Sequence, residues 1–165
     1  MLAIRLAKVA CVAAVALYMS LVAFNNITDY WTNFTFVAHV LDMDQISPQS
    51  DIRWRAITSP VLHHAGYVLI IATEICIAGL TAAGAAAMAR GLRAKAAAFQ
   101  QSKSLAIIGL ALGFLLYEGG FIAVGGEWFG MWQSQSWDGV PSAFRFVVTM
   151  LAVLIFISMK DDELA

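Results

Sequence analysis

SPVLHHAGYVLIIATEICIAGLTAAGAAAMAR, residues 59–90, is the stretch on which the fold turns. From Pro60 to Ala89 it holds a single acid, Glu74, and no Lys or Arg in a nearly unbroken apolar run. A bilayer core about 30 Å thick takes about 20 such residues as a helix, so the run reads as a membrane span. Its start is marked twice. Ser59 offers a side-chain cap, and Pro60 stands in the first turn, where a missing N–H costs nothing.

Three more runs meet the same test, at about 9–24, 105–124 and 141–159. The chain has 165 residues, 61% hydrophobic and 13% charged. Soluble domains are about a quarter charged. Mean hydropathy is +0.75. Residues 1–165 therefore read as one all-α membrane domain, a four-helix transmembrane bundle. The formal net charge of −1 points to no nucleic-acid partner. Arg5 and Lys8 precede the first run as in a signal peptide. The run ends in VAFNN without a small-x-small site, so it is expected to remain as the first span.

Lys and Arg placement sets the expected orientation. Arg5, Lys8, Arg90, Arg93, Lys95, Lys103 and Lys160 fall on one side; Arg53, Arg55 and Arg145 fall on the other. Both termini are predicted to be cytoplasmic, with the first and third connections outside. All five tryptophans, Trp31, Trp54, Trp128, Trp132 and Trp137, lie in those two connections. Trp favours the headgroup boundary, but on both sides of a membrane. A one-sided set predicts that the two connections pack together as an extracytoplasmic cap.

Within the first connection, Tyr30, Phe34, Val37 and Leu41 recur at helical spacing. They predict a short amphipathic helix with Asp29 as N-cap, lying at the interface. Asn33, His39 and Asp42 fall on its other faces. Ser47-Pro48 marks a turn before the RWR segment, Arg53–Arg55. The third connection reads as a helical continuation of the third span, with Trp128 and Trp132 on one face. Inside the cap, Glu127 or Asp44 is expected to pair with Arg53 or Arg55.

Charges inside apolar runs are costly and usually have a partner or a task. Glu74 falls roughly 20 Å into its span, Glu118 roughly 10 Å and Arg145 roughly 6 Å at 1.5 Å per residue. Glu118 and Arg145 are expected to meet as an ion pair. Glu74 shares a helix face with His63, Tyr67 and Ile70, and this polar stripe either lines a path or bonds to neighbours such as Thr81. Gly109 and Gly113, and Gly79 with Ala83, are spaced for close helix contact. Cys11 and Cys76 read as buried apolar filler. No metal-ligand spacing, nucleophile motif or nucleotide fingerprint is present, so neither a metal site nor an enzyme is expected.

The motifs NITDYWTNFTFVAHVLDMD (26–44), IRWRAITSP (52–60), LGFLLYEGGFIAVGGEWFGMWQSQSWDG (112–139) and AFRF (143–146) carry a resemblance. The chain resembles an uncharacterised bacterial family of predicted small integral membrane proteins over nearly its whole length. The resemblance implies four spans in a bacterial inner membrane and brings no ligand or catalytic residue. It implies that the densest shared motifs are Asn33, His39, Asp44, Trp54 and Arg55, with Glu127, Trp128 and Trp132.

The leading expectation is a non-catalytic accessory subunit of a larger inner-membrane complex of the respiratory or photosynthetic kind. Its partners would be membrane lipid and other integral membrane subunits, or copies of itself. One alternative is an oligomeric proton, ion or solute carrier built on Glu74 and Glu118. Another is a haem- or quinone-binding subunit, with haem held between His39 and His63 or His64.

Overall fold

The computed structural model describes residues 2–163, and four helices in it are long and apolar enough to cross a membrane. Helix α1 is Leu2–Thr28, α2 Tyr30–Asp42, α3 Pro60–Arg90, α4 Ala96–Ser102, α5 Ser104–Phe114 and α6 Val140–Ser158. Helix α5 runs on as a π-helical segment, Leu115–Trp128. No strand occurs among the described residues. Lipid offers the backbone no hydrogen bonds, so each crossing must close its own.

The first crossing is longer than the apolar run that announces it. It begins before Arg5 and Lys8 and continues through Asn25 and Asn26. Charged and amide residues bound an apolar run, but they do not stop a helix. Only a tightened turn at Lys103 separates α4 from α5, its N–H bonding Gln100 O at 3.4 Å. Ser59 stands at the N-cap of α3 without a side-chain bond. Its carbonyl instead accepts from Leu62 N and His63 N, both at 3.0 Å. Asp29 likewise occupies the N-cap of α2 with no side-chain cap bond.

Helix α3 is the hub, packed by α1 on one flank and α5 on the other. Its buried face carries His63, Tyr67, Ile71, Glu74, Ile77, Thr81, Gly84 and Met88 at helical spacing. The crossing with α5 is close enough to exclude a methyl group. A Cβ on Gly84 would lie 2.5 Å from Ala106 N, and one on Gly109 would lie 2.9 Å from Thr81 Cγ2. Gly113 faces Met150 of α6, its would-be Cβ 3.1 Å from the sulfur. Of the two expected seams, Gly109 and Gly113 are used. Gly79 and Ala83 are not, since both are exposed and a Cβ on Gly79 meets nothing within 4 Å. Cys76 is also exposed rather than buried, and Cys11 is half-buried.

A charged cluster closes the opposite end of the bundle from the tryptophans. Lys8 and Lys103 both reach Asp161, Lys8 at 3.0 Å, and both also donate to Met159 O, at 2.7 and 3.0 Å. Arg5 donates to Leu92 O, Ala94 O and Asp162 O at 3.1, 2.7 and 2.9 Å. These carbonyls lie just past the ends of α3 and α6, where helices leave acceptors unused and favour cations. Arg5, Lys8 and Lys103 are no more than 1% exposed. Burial pushes the Asp161 carboxyl up, but hydrogen bonds from Lys103 and Lys8 with their charges outweigh it and hold the group below the ordinary carboxylate range.

Two outcomes follow. Gly84→Ala should destabilise the protein by about 1–3 kcal/mol through overpacking against backbone. Gly79→Ala should be neutral or stabilising by up to about 1 kcal/mol. Thermal unfolding in detergent checks the contrast. Asp161 contributes stability above its unfolded value of about 4, lost as pH falls through the lowered folded value. The unfolding temperature of the wild type should drop across that acid window, while Asp161→Asn, weaker at neutral pH by about 3 kcal/mol, should show a flatter profile.

Candidate functional site

Two polar assemblies come from the residues that the sequence singles out: a cap over one end of the bundle and a buried carboxyl beneath it.

The cap is built mainly by packing, and neither Arg53 nor Arg55 is paired with a carboxylate among the described residues. Helix α2 lies on the first turns of α3 with Tyr30, Phe34, Val37 and Leu41 turned inward, beside Tyr67, Ile70 and Ile71. Phe34 stacks on His64 at 4.1 Å, and Tyr30 Oη meets His64 Nδ1 at 2.7 Å. Met43, at φ 51°, ends α2 and sits buried with Ile46 and Phe129. The third connection joins here. Trp54 meets Trp128 edge to face at 6.1 Å, and His39 stacks on Trp137 at 4.6 Å. Arg55 lies over Trp128 at 4.4 Å and donates to Trp128 O at 3.1 Å. The two connections therefore form one cap.

Several pairings differ from the expected ones. Asp44 binds His39 at 2.7 Å, not an arginine. Arg55 takes two indole rings and a carbonyl, Arg53 is exposed with Ile46 O at 3.5 Å, and Glu127 is exposed and forms no ion pair among the described residues. Flat indole faces attract a guanidinium, so Arg55 needs no carboxylate. Trp128 and Trp132 do not share a helix. Helical backbone ends at Trp128, Gly130 at φ 67° reverses the chain, and Trp132 belongs to a 3₁₀ turn, Met131–Gln133. Glu118 and Arg145 form no ion pair; Glu118 is half-buried and Arg145 exposed. The π-helical winding beginning at Leu115 shifts side chains away from the angles that α-helical counting assumes.

The expected α3 stripe is buried: His63 is 4%, Tyr67 2% and Glu74 2% exposed. His63 Nε2 meets Ile57 O at 2.5 Å and stands 3.5 Å from Asp42. The three imidazoles are thus engaged separately, His39 by Asp44, His63 by Ile57 and His64 by Tyr30. Glu74 is bonded from two other crossings. Asn26 Nδ2 donates to Oε2 at 2.7 Å, and Tyr117 Oη donates to Oε1 at 3.4 Å. Tyr67 Oη donates to Asn26 O at 3.0 Å, fixing the asparagine that holds the acid. Thr81 donates to its own helix at Ile77 O, 2.7 Å away, and leaves Glu74 alone.

Beside this carboxyl is a cavity of about 160 Å³ lined by Val22, Asn26, Tyr67, Glu74, Tyr117 and Phe146, among others. It shares Val22, Asn26 and Asn33 with an open polar groove that adds Asn25 and Asp29. Glu118 does not line it. Neither Asn26 nor Tyr117 is among the site residues that the sequence predicts. The signal for Asn26 was an amide within reach of a span end; Tyr117 carried none, because its direction depends on the π winding. Of the basal cluster, Arg5, Lys8 and Lys103 stand out in the sequence only as topology markers, and Asp161 does not stand out at all.

Residues 4–160 match the family described as "Predicted small integral membrane protein (DUF2165)". No curated protein and no solved structure matches the chain.

Proposed function

The chain belongs to this family of predicted small integral membrane proteins, and on that premise we propose that it is a non-catalytic accessory subunit of a larger bacterial inner-membrane complex. The observation that carries the reading is the outward face of α3. Ala65, Ala72, Cys76, Gly79, Ala83 and Ala86 lie along one side of the helix and are all exposed. This face is opposite Glu74 and Thr81. Small residues in lipid bring backbones together, and the same helix uses Gly84 for that purpose against α5. The outer seam is therefore suited to a helix from another subunit.

Two further features support the reading. The cap presents Trp54 and Trp132 at 74% and 57% exposure, and exposed Trp is what interface anchors are made of. Four Ser and Thr hydroxyls of the spans are occupied by their own helices. Ser20, Thr73, Thr149 and Ser158 each donate to the carbonyl four residues earlier, at 2.7–2.8 Å. A nucleophile needs a base at that position instead. Lys and Arg distribution favours both termini inside and the cap outside.

Purified from its native host in mild detergent, the wild type should carry a stoichiometric membrane partner that mass spectrometry identifies. Gly79→Leu with Ala83→Leu should lose that partner while keeping its own unfolding temperature. Recovery of the wild type alone rejects the reading. The same identification tells whether the complex is an electron-transport one. A reporter active only in the cytoplasm should work when fused to the C-terminus, and activity only of a periplasmic reporter would reverse the topology.

A further inference from the structure

Helices α3 and α5 meet backbone to backbone at Gly84 and Gly109. Above that crossing the π-helical segment packs on α6 and scarcely on α3, and α2 lies over the gap. What remains is an apolar chamber of about 150 Å³, walled by Val37 and Leu41 of α2, Ile70 of α3, and Leu116 and Val124 of the π-helical segment, among others. No polar side chain lines it, but Gly66, Gly120 and Gly125 do. These are not the glycines of a helix contact. At Gly66 and Gly120 the one atom that an added Cβ would meet within 4 Å, beyond the local backbone, is a leucine methyl at 3.8 Å. Glycine inside a helix costs stability against alanine, and at these two positions no close crossing offsets it. Their missing side chains leave room instead. Gly120 and Val124 are exposed, so the chamber is open on the side of the π-helical segment.

The cavity beside Glu74 adjoins this chamber, for Phe36, Val37, Ile70 and Phe121 line both. Glu74 accepts from Asn26 and Tyr117 and donates to nothing among the described residues. Burial beside neutral donors alone favours the uncharged carboxyl, and that form carries one O–H. Asn26 Nδ2 gives one N–H to Glu74 and has a second. Two donors at the cavity wall thus lack an acceptor. No Lys, Arg or His lines either space. An anionic head would find no cation there, and a cationic head no anion. The group that fits is an uncharged acceptor, a carbonyl oxygen. An apolar cavity of about 150 Å³ stays dry and takes a benzene-sized hydrocarbon group. Together the two spaces reach the small end of ligand pockets, about 300 Å³, apolar with a few convergent polar groups.

We propose that the two spaces together bind one uncharged lipid, its carbonyl oxygen on the Glu74 O–H and the Asn26 amide and its hydrocarbon part in the chamber at Gly66 and Gly120. The carbonyl is either the ester of a glyceride or the ring oxygen of a quinone; both present the same acceptor on an apolar body. The inference is independent of the subunit reading, because it concerns the inner face of α3 and not its outer seam.

The test uses the full chain, delipidated by exhaustive detergent exchange and titrated while thermal unfolding is followed. Dioctanoylglycerol supplies ester carbonyls, decylubiquinone supplies ring carbonyls, and dioctanoyl phosphatidate is the charged reference. The neutral probe that raises the unfolding temperature saturably identifies the source of the carbonyl. Gly66→Leu and Gly120→Leu each place a side chain in the apolar chamber. Both should fold at least as stably as the wild type and bind that probe about tenfold more weakly or worse, since side chain and ligand compete for one space and overpacking is costly. Glu74→Gln keeps a donor and should bind within about threefold of the wild type, whereas Glu74→Leu should lose about threefold to tenfold, the worth of one hydrogen bond. If Glu74→Leu fails to fold, the two glycine variants decide. No response to either neutral probe overturns the proposal, the spaces then holding water or nothing. An equal response to phosphatidate overturns it as well, and so does unchanged affinity in both glycine variants.

Discussion

The fold depends on the backbone contact between α3 and α5. At Gly84 and Gly109 the two helices approach until a single methyl group would strike backbone or the neighbouring side chain. Lipid tails are as apolar as leucine, so burying apolar surface does little to hold helices together in a membrane. Close van der Waals contact over a long interface has to do it. The crossing sets the position of α3, and every polar group on its inner face takes its place from there. Gly113 extends the same logic to α6, where Met150 fills the space that a side chain would have taken.

With α3 held, its polar residues are sorted by height. At the top, His63 and His64 meet the loop carbonyl and the tyrosine of the cap. Lower down, Tyr67 and Glu74 are bound by Asn26 from α1 and Tyr117 from the π-helical segment. Three crossings thus share one polar network. Its members come from distant parts of the sequence, and removing one strands the others, since an unsatisfied group in a dry interior costs more than the bond itself gains. The basal cluster solves the same problem with full charges. There the partners are the exposed carbonyls of helix ends together with one carboxylate, and the chain's C-terminal segment is tied against α1 and α5. The two ends of the bundle are therefore held by different chemistry, aromatic stacking above and charge below.

Inner and outer faces of α3 differ in what they ask of a neighbour. The inner face is filled by this chain's own helices. The outer one carries small residues with nothing against them, next to a cap in which Trp31, Trp54 and Trp132 are more than half exposed. A helix that needs small residues to touch one neighbour closely has, on its other side, the same means of touching a second.

The number of crossings, the helix start at Ser59-Pro60, the inward face of α2 and the meeting of the two tryptophan-bearing connections were all legible in the sequence. Hydrophobic run length and helical periodicity are local properties, and lipid enforces both. The pairings of charged and polar groups were not legible. Asp44 with His39, Arg55 on indole rings, Glu74 with Asn26 and Tyr117, and Lys8 and Lys103 on Asp161 each join residues whose proximity depends on how helices cross and wind. Helical counting failed at Glu118 and Trp132 because the chain changes to π winding at Leu115 and then reverses at Gly130. The sequence by itself determined which segments enter the membrane, because that is decided residue by residue against a solvent. Only the tertiary structure decided which charges are neutralised and by what, because that is set by distances between helices, and those follow from the closest contact their side chains allow.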